Sequence, residues 1–312
     1  MKKILLSLAC FALLITRLSA EPHSNKRRVF AVSGGGAAAV AAATYADLLP
    51  LIHLSADADD AAVWKDNPPT TAPTLSDRTH EYDNVLYWTD LSGNGNHFKY
   101  VGTPGGNDLW MDGTNPYTNE PTGLLNENYV YAATGSTSNY LQPDDDSTSL
   151  AGFNFDDSFT VAMVFARRGG TTYGRPFDKG DGTSAYGALL ENGLLKFFIG
   201  HNTDGYINAS GPTLTAGVFY YLVIVWDGAT AVDVSSISMY LDGAAQSLST
   251  VTNPTLATNQ TNGTPLRIGT RVGGVGTETL SIHRFLVFDR ALSAADQTTL
   301  DSLICTNYGK AC

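Results

Sequence analysis

A chain of 312 residues has room for one large domain or two ordinary ones, and its 43% of hydrophobic residues can build a sizeable core. Charged residues make up only 16%, below the usual share of about a quarter, which suits a β-rich exported protein better than a helical cytosolic one. The formal net charge of −11, with one basic cluster at Lys26–Arg28, argues against binding along a phosphate backbone.

The first segment reads as a secretory signal. Met1-Lys-Lys precedes an apolar run from Ile4 to Ile15, and Leu18-Ser-Ala20 offers a cleavage site after Ala20. The run is too short to anchor the chain across a bilayer. Residues 21–47 form a Gly/Ala-rich leader or linker, in which Lys26-Arg-Arg-Val-Phe30 followed by "AVSGGGAAAVAAATYA" resembles a twin-arginine export signal. Either reading places the protein outside the cytoplasm, secreted or periplasmic.

From residue 48 to 304 no linker or repeat divides the chain, so one domain is expected there. An irregular stretch rich in Pro, Thr and Asp (57–83) comes first. Then "WTDLSGNGNHF", Trp88 to Phe98, packs an acid, turn residues and a histidine between two aromatics. Its Gly and Asn residues suit left-handed conformations, Asp90 can accept backbone N–H bonds, and Trp88 and Phe98 can anchor the ends in a core. Phe159, Val161, Met163 and Phe165 alternate along one strand face. "VFYYLVIVW", Val218 to Trp226, is apolar on both faces and predicts a strand inside a covered sheet. Ile237, Met239 and Leu241 point inward on a strand ending in Asp242-Gly243, and Asn192-Gly193 marks a second hairpin. Glu278 to Phe288 predicts a last long strand.

One helix is expected from Ser293 to about Ile304. Ser293-Ala-Ala-Asp296 is a capping box, and Leu292, Leu300, Leu303 and Ile304 lie near one stripe. Cys305 and Cys312 then read as a disulfide closing the tail, residues 305–312. The fold class these elements define is all-β: a two-sheet antiparallel jelly-roll sandwich with one short C-terminal helix.

Five pieces in order resemble the concanavalin A-like lectin/glucanase superfamily in its laminin-G-like jelly-roll branch. They are "LIHLSADADDAAVW", "WTDLSGNGNHF", "SFTVAMVFARRG", "FYYLVIVWDG…SISMYLDGA" and "PLRIGTRVGG…LSIHRFLVFDRALSAADQTTLDSLI". The resemblance covers most of residues 50–304 and speaks to fold rather than activity, because this fold carries lectins, hydrolases, lyases, adhesins and spacers.

A catalytic set is not found. The glucanase pattern Glu-x-Asp-x-x-Glu has its nearest match in Glu81-Tyr-Asp83-Asn-Val-Leu86, where leucine replaces the second catalytic carboxylate. Gly182-Thr-Ser184-Ala-Tyr-Gly187 misses the nucleophile elbow by one residue. The six histidines include no His-x-x-x-His pair, and His283 on its strand reads as a satisfied or surface residue. The glycines at 34–36 lack the setting of a phosphate loop.

Calcium is the one cofactor the resemblance brings in, since many members of the superfamily hold it with Asp, Asn and backbone oxygens. Candidate ligands are Asp90, Asn94 and Asn96, and Asp178 with Asp181; Asp144-Asp-Asp146 is another, although clustered acids in a loop are usually just solvated. Glycan binding needs aromatic faces beside amides and acids, and Tyr117, Tyr131, Tyr140, Tyr173 and Tyr206 lie in such surroundings. The expectation is a secreted, non-catalytic recognition module for a carbohydrate or cell-surface partner. A structural or self-assembling component (surface layer, appendage or virus particle) is the alternative, and a glycan-active hydrolase or lyase comes third.

Overall fold

A computed structural model describes residues 42–56, 63–64, 87–101, 110–112, 129–133, 140–144, 158–169, 173–180, 184–201, 205–228, 234–250, 265–269 and 279–309. In chain order the strands are β1 Ile52–Ser55, β2 Val63–Trp64, β3 Tyr87–Trp88, β4 Phe98–Val101, β5 Trp110–Asp112, β6 Tyr129–Ala133 and β7 Tyr140–Pro143. Then come β8 Phe159–Gly169, β9 Tyr173–Gly180, β10 Ser184–Glu191, β11 Leu194–His201, β12 Gly205–Thr213 and β13 Phe219–Trp226. The last are β14 Ile237–Leu241, β15 Ala244–Ala245, β16 Ser249–Thr250, β17 Arg267–Ile268 and β18 Thr279–Phe288, followed by helix α1, Ala294–Tyr308.

Two antiparallel sheets result. The first runs β15-β14-β13-β8-β18-β6-β5, with β1 pairing β18 beyond the end of β6. The second runs β16-β12-β11-β10-β9-β17-β7-β4-β3-β2. Period-two alternation fills the space between them. Phe159, Val161, Met163 and Phe165 of β8 meet Phe177 of β9, Phe197 and Ile199 of β11, and Trp88 and Phe98 in one core, all of them buried.

The first sheet is buried on its other face too. Ala162, Val164 and Ala166 of β8 and Phe219, Tyr221, Val223 and Val225 of β13 pack beneath Leu300, Leu303, Ile304 and Tyr308 of α1. Tyr45 and Leu48, from a 3₁₀ turn at Tyr45–Leu48, close the same layer. Hence "VFYYLVIVW" is apolar throughout: one set of side chains faces the second sheet and the other faces the helix.

Both hairpins have the expected chemistry. Asn192 and Gly193 take φ of 52° and 82° between β10 and β11, and Asp242 and Gly243 take 49° and 78° between β14 and β15, the left-handed pair a two-residue hairpin needs. Helix α1 starts where expected, with Ser293 Oγ accepting from the Asp296 amide at 3.2 Å. It ends later than expected, at Tyr308 rather than Ile304. Tyr308 continues the buried stripe one turn beyond Ile304, and Gly309, at φ 62°, supplies the left-handed stop. Cys305 thus belongs to the helix, while Cys312 lies outside the described residues.

Candidate functional site

The loop 88–98 is a clamp between the sheets. Trp88 and Phe98 are both fully buried and face each other across β3 and β4. Asp90 is buried and its carboxylate accepts four hydrogen bonds: from the amides of His53 (2.8 Å), Ser92 (3.0 Å) and Asn96 (2.9 Å), and from Ser92 Oγ (2.6 Å). Asn94 Nδ2 donates to the carbonyls of Pro50 and Leu51, and Asn96 Nδ2 donates to that of Leu51. These side chains therefore tie β1 of the first sheet to β3 and β4 of the second. Only the glycines of the loop are left-handed, Gly93 at 87° and Gly95 at 76°. Asn94 and Asn96 are not left-handed, and their amides reach back to the residues just before β1.

Asp90, Asn94 and Asn96 do converge, as a calcium reading requires, but a cation there would have to displace donors from both Asp90 oxygens. Asp178 lies elsewhere, on β9, and Asp181 is outside the described residues. Among the described residues no three His, Cys, Asp or Glu side chains group as metal ligands.

A different arrangement lies on the outer face of the second sheet. Leu141, Ile268, Phe177, Ala188 and Phe197 point into the core, so their strand neighbours face outward. Register lines these up across β17, β9, β10 and β11: Arg267 opposite Asp178, Asp178 opposite Gly187, Gly187 opposite Phe198. Beside Arg267, Tyr140 on β7 pairs with Val101 on β4, and Gln142 pairs with Lys99, which pairs with Tyr87 on β3. Residues far apart in sequence thus form one row on rigid strands.

Its centre is packed from below. A Cβ on Gly187 would fall 2.6 Å from the Phe177 carbonyl oxygen and 2.9 Å from Phe198 Cζ, so the glycine lets the Phe198 ring lie on the sheet. The Arg175 guanidinium sits 4.3 Å from the centre of that ring and donates from Nη1 to Asp178 Oδ2 at 3.0 Å. Arg267 lies 4.5 Å over the ring of Tyr140. Lys99 Nζ is 3.4 Å from Asp144 Oδ1, and Lys196 pairs with Glu191. Tyr87 is pushed up to about 12, first by burial and then by the negative charge of Asp144.

Of the tyrosines proposed from sequence, Tyr140 is in this row. Tyr131, Tyr173 and Tyr206 fall on β6, β9 and β12, where only the backbone is described, and Tyr117 lies outside the described residues. Asp178, a metal candidate by sequence, is here the ion partner of Arg175. Arg175, Arg267, Phe198 and Lys99 were not singled out from sequence, since nothing in their local spacing marks them.

The opposite face of the molecule holds a second polar cluster, between β1, β18 and α1. Pairing with β8 shifts between Ile282 and Arg284, a bulge that turns both His283 and Arg284 toward the helix. Arg284 is buried, donates from Nε to Tyr308 Oη at 3.0 Å, meets His53 Nε2, and lies 4.3 Å over Tyr45. His53 must accept from the guanidinium, so its Nε2 carries no proton. Burial, and then the Arg284 charge, lower its pKa to about 3. His283 is fully buried against the rings of Phe219 and Tyr308, too enclosed for a base that must reach a substrate. Glu81 and Asp83 lie outside the described residues.

Two stacked antiparallel sheets, one of them capped on its outer face by a C-terminal helix, define a jelly-roll sandwich of the lectin type. A family model described as the concanavalin A-like lectin/glucanases superfamily matches residues 134–296, more than half of the chain, and the chain belongs to that superfamily. Similar solved structures include the receptor-binding domain of botulinum neurotoxin C/D mosaic serotype (TM-score 0.52, 10% identity, covering 82% of this chain and 51% of that one). The binding domain of botulinum neurotoxin serotype G gives the same figures. The binding domain of Paraclostridial Mosquitocidal Protein 1 matches with a TM-score of 0.51 and 12% identity, over 81% of this chain and 52% of that one. The chain spans about half the length of these structures, and at such identities the likeness is one of fold. No curated protein matches the chain by sequence.

Proposed function

We propose that the protein is a secreted, non-catalytic recognition module that binds a glycan of a cell surface or matrix through the outer face of its second sheet. The observation that carries this reading is the partly exposed group Tyr140, Arg267, Gln142 and Lys99, set side by side on the outer face of the second sheet. Fork-shaped and ammonium donors, an amide and a phenol on rigid strands are what sugar hydroxyls require. The superfamily and the receptor-binding domain of botulinum neurotoxin C/D mosaic serotype, similar in fold, support it further. Among the described residues no helix is long and apolar enough to cross a membrane.

A glycan array at millimolar calcium, with and without chelator, tests the proposal. Binding to one glycan class is expected, with no cleavage of the bound glycan. Cleavage would favour the hydrolase or lyase reading. Loss of binding on chelation would assign calcium a role and send attention back to Asp90, Asn94 and Asn96.

Silence across the array would favour the assembly reading. One observation weighs against sheet-to-sheet assembly. The strands ending the two sheet orders, β15, β5, β16 and β2, are only two or three residues long, which blunts edge pairing. A monomer by light scattering is therefore expected, and a large ordered oligomer would contradict it.

A further inference from the structure

Arg267 differs from the other described cations on the outer face of the second sheet. Lys99, Arg175 and Lys196 each have an acid: Asp144, Asp178 and Glu191. Across the strand from Arg267 stands Asp178, but that carboxylate gives Oδ2 to Arg175. The guanidinium of Arg267 rests on Tyr140, its Nε is buried, and that Nε has no hydrogen-bond acceptor. The residue as a whole remains partly exposed. A donor-only cation left without an acceptor is costly to keep, and on a chain of net charge −11 it is out of step with its surroundings.

The geometry also restricts what can bind. The guanidinium lies over one face of Tyr140 and takes that face from stacking with a neutral sugar. What the pair presents instead is a planar cation, steadied by the ring and closed at Nε, which meets a ligand through its two Nη groups. A hydroxyl can answer one of them; an oxyanion can answer both. We propose that Arg267, held over Tyr140, anchors the acidic group of a saccharide, a carboxylate or a sulfate ester. This rests on the glycan-recognition reading and adds the ligand's charge class to it.

Titration of the full chain with neutral, carboxylated and sulfated forms of one oligosaccharide tests the inference, at low and at 0.5 M salt. The wild type is expected to prefer an acidic form over the neutral one by about tenfold, with the advantage shrinking in salt. Whichever acidic form wins identifies the oxyanion. Arg267→Gln should bring the acidic form down to the level of the neutral one, abolishing the preference. Arg267→Lys, which keeps the charge and loses the fork, should keep part of the preference. A circular-dichroism melt of each variant separates these effects from misfolding. If neutral and acidic forms bind alike and Arg267→Gln changes neither, this inference is overturned while glycan recognition stands. If no form binds, both fall together.

Discussion

Two arginines on opposite faces of the sandwich show how the same residue type can be structural on one side and available on the other. Arg284 is sealed under helix α1 with Tyr308, His53 and Tyr45 around its guanidinium. Arg267 shares the aromatic platform, Tyr140 in place of Tyr45, but has no acceptor on its buried Nε. The helix makes the difference. It covers the outer face of the first sheet and supplies partners, whereas no described helix lies over the second sheet, where Arg267 and Tyr140 stay partly exposed. Arg284 should therefore matter to stability and Arg267 to binding.

The largest effect is expected from reversing that assignment. Arg284→Met should cost about 3–4 kcal/mol in urea unfolding, since it strips a hydrogen-bond partner from Tyr308 and His53 together. Arg267→Gln should stay within about 1 kcal/mol of wild type, as a partly exposed site does. Equal costs at the two positions would erase the contrast. The clamp joining the faces comes next. Asp90→Ala removes the acceptor of four hydrogen bonds and should cost about 2–3 kcal/mol, with Asp90→Asn recovering part of it.

The sealed cluster also has a pH signature. His53 titrates near 6.5 when unfolded and is brought down to about 3 when folded. Between these values the unfolded chain binds the extra proton, so stability is complete above pH 6.5 and falls as the pH drops toward 3. The slope is about 1.4 kcal/mol per pH unit, or about 2 kcal/mol lost by pH 5. His53→Gln, whose amide oxygen can still accept from Arg284, should flatten that slope in unfolding curves taken from pH 7 to 4. An unchanged slope would mean that His53 is not the group responsible.

Much of the frame is legible in the sequence because it depends on local chemistry. Asp242-Gly243 and Asn192-Gly193 fix their hairpins by φ, Ser293 starts the helix, and alternation sorts Phe159 to Phe165 toward the core. What is hidden depends on register. The bulge at Ile282–Arg284 places two successive residues on one face, which a period of two cannot reveal. The open row is drawn from five strands, and Tyr140 and Arg267 lie 127 residues apart. Proximity of that kind comes from pairing, not spacing. The helix ran past its expected end because a tyrosine, polar at one tip, continues the buried stripe.

The smallest effect concerns the helix that makes the contrast. We propose a bridge between Cys305, half-buried on α1, and Cys312, which would pin the helix end. In the chain-entropy model so short a loop contributes about 2 kcal/mol, and little of it would reach the sandwich. Intact mass before and after alkylation of the chain from residue 21 onward should show no free thiol in the native form and two after reduction. Two free thiols in the oxidised, native protein would refute the bridge.

The central claim, recognition without turnover at the outer face of the second sheet, is met most directly by an NMR titration of the labelled protein with the best glycan from the array. Shifts are expected at Lys99, Tyr140, Gln142, Arg175 and Arg267, with the glycan recovered intact. Shifts confined to α1 and the Arg284 cluster, or new reducing ends in the recovered glycan, would contradict it.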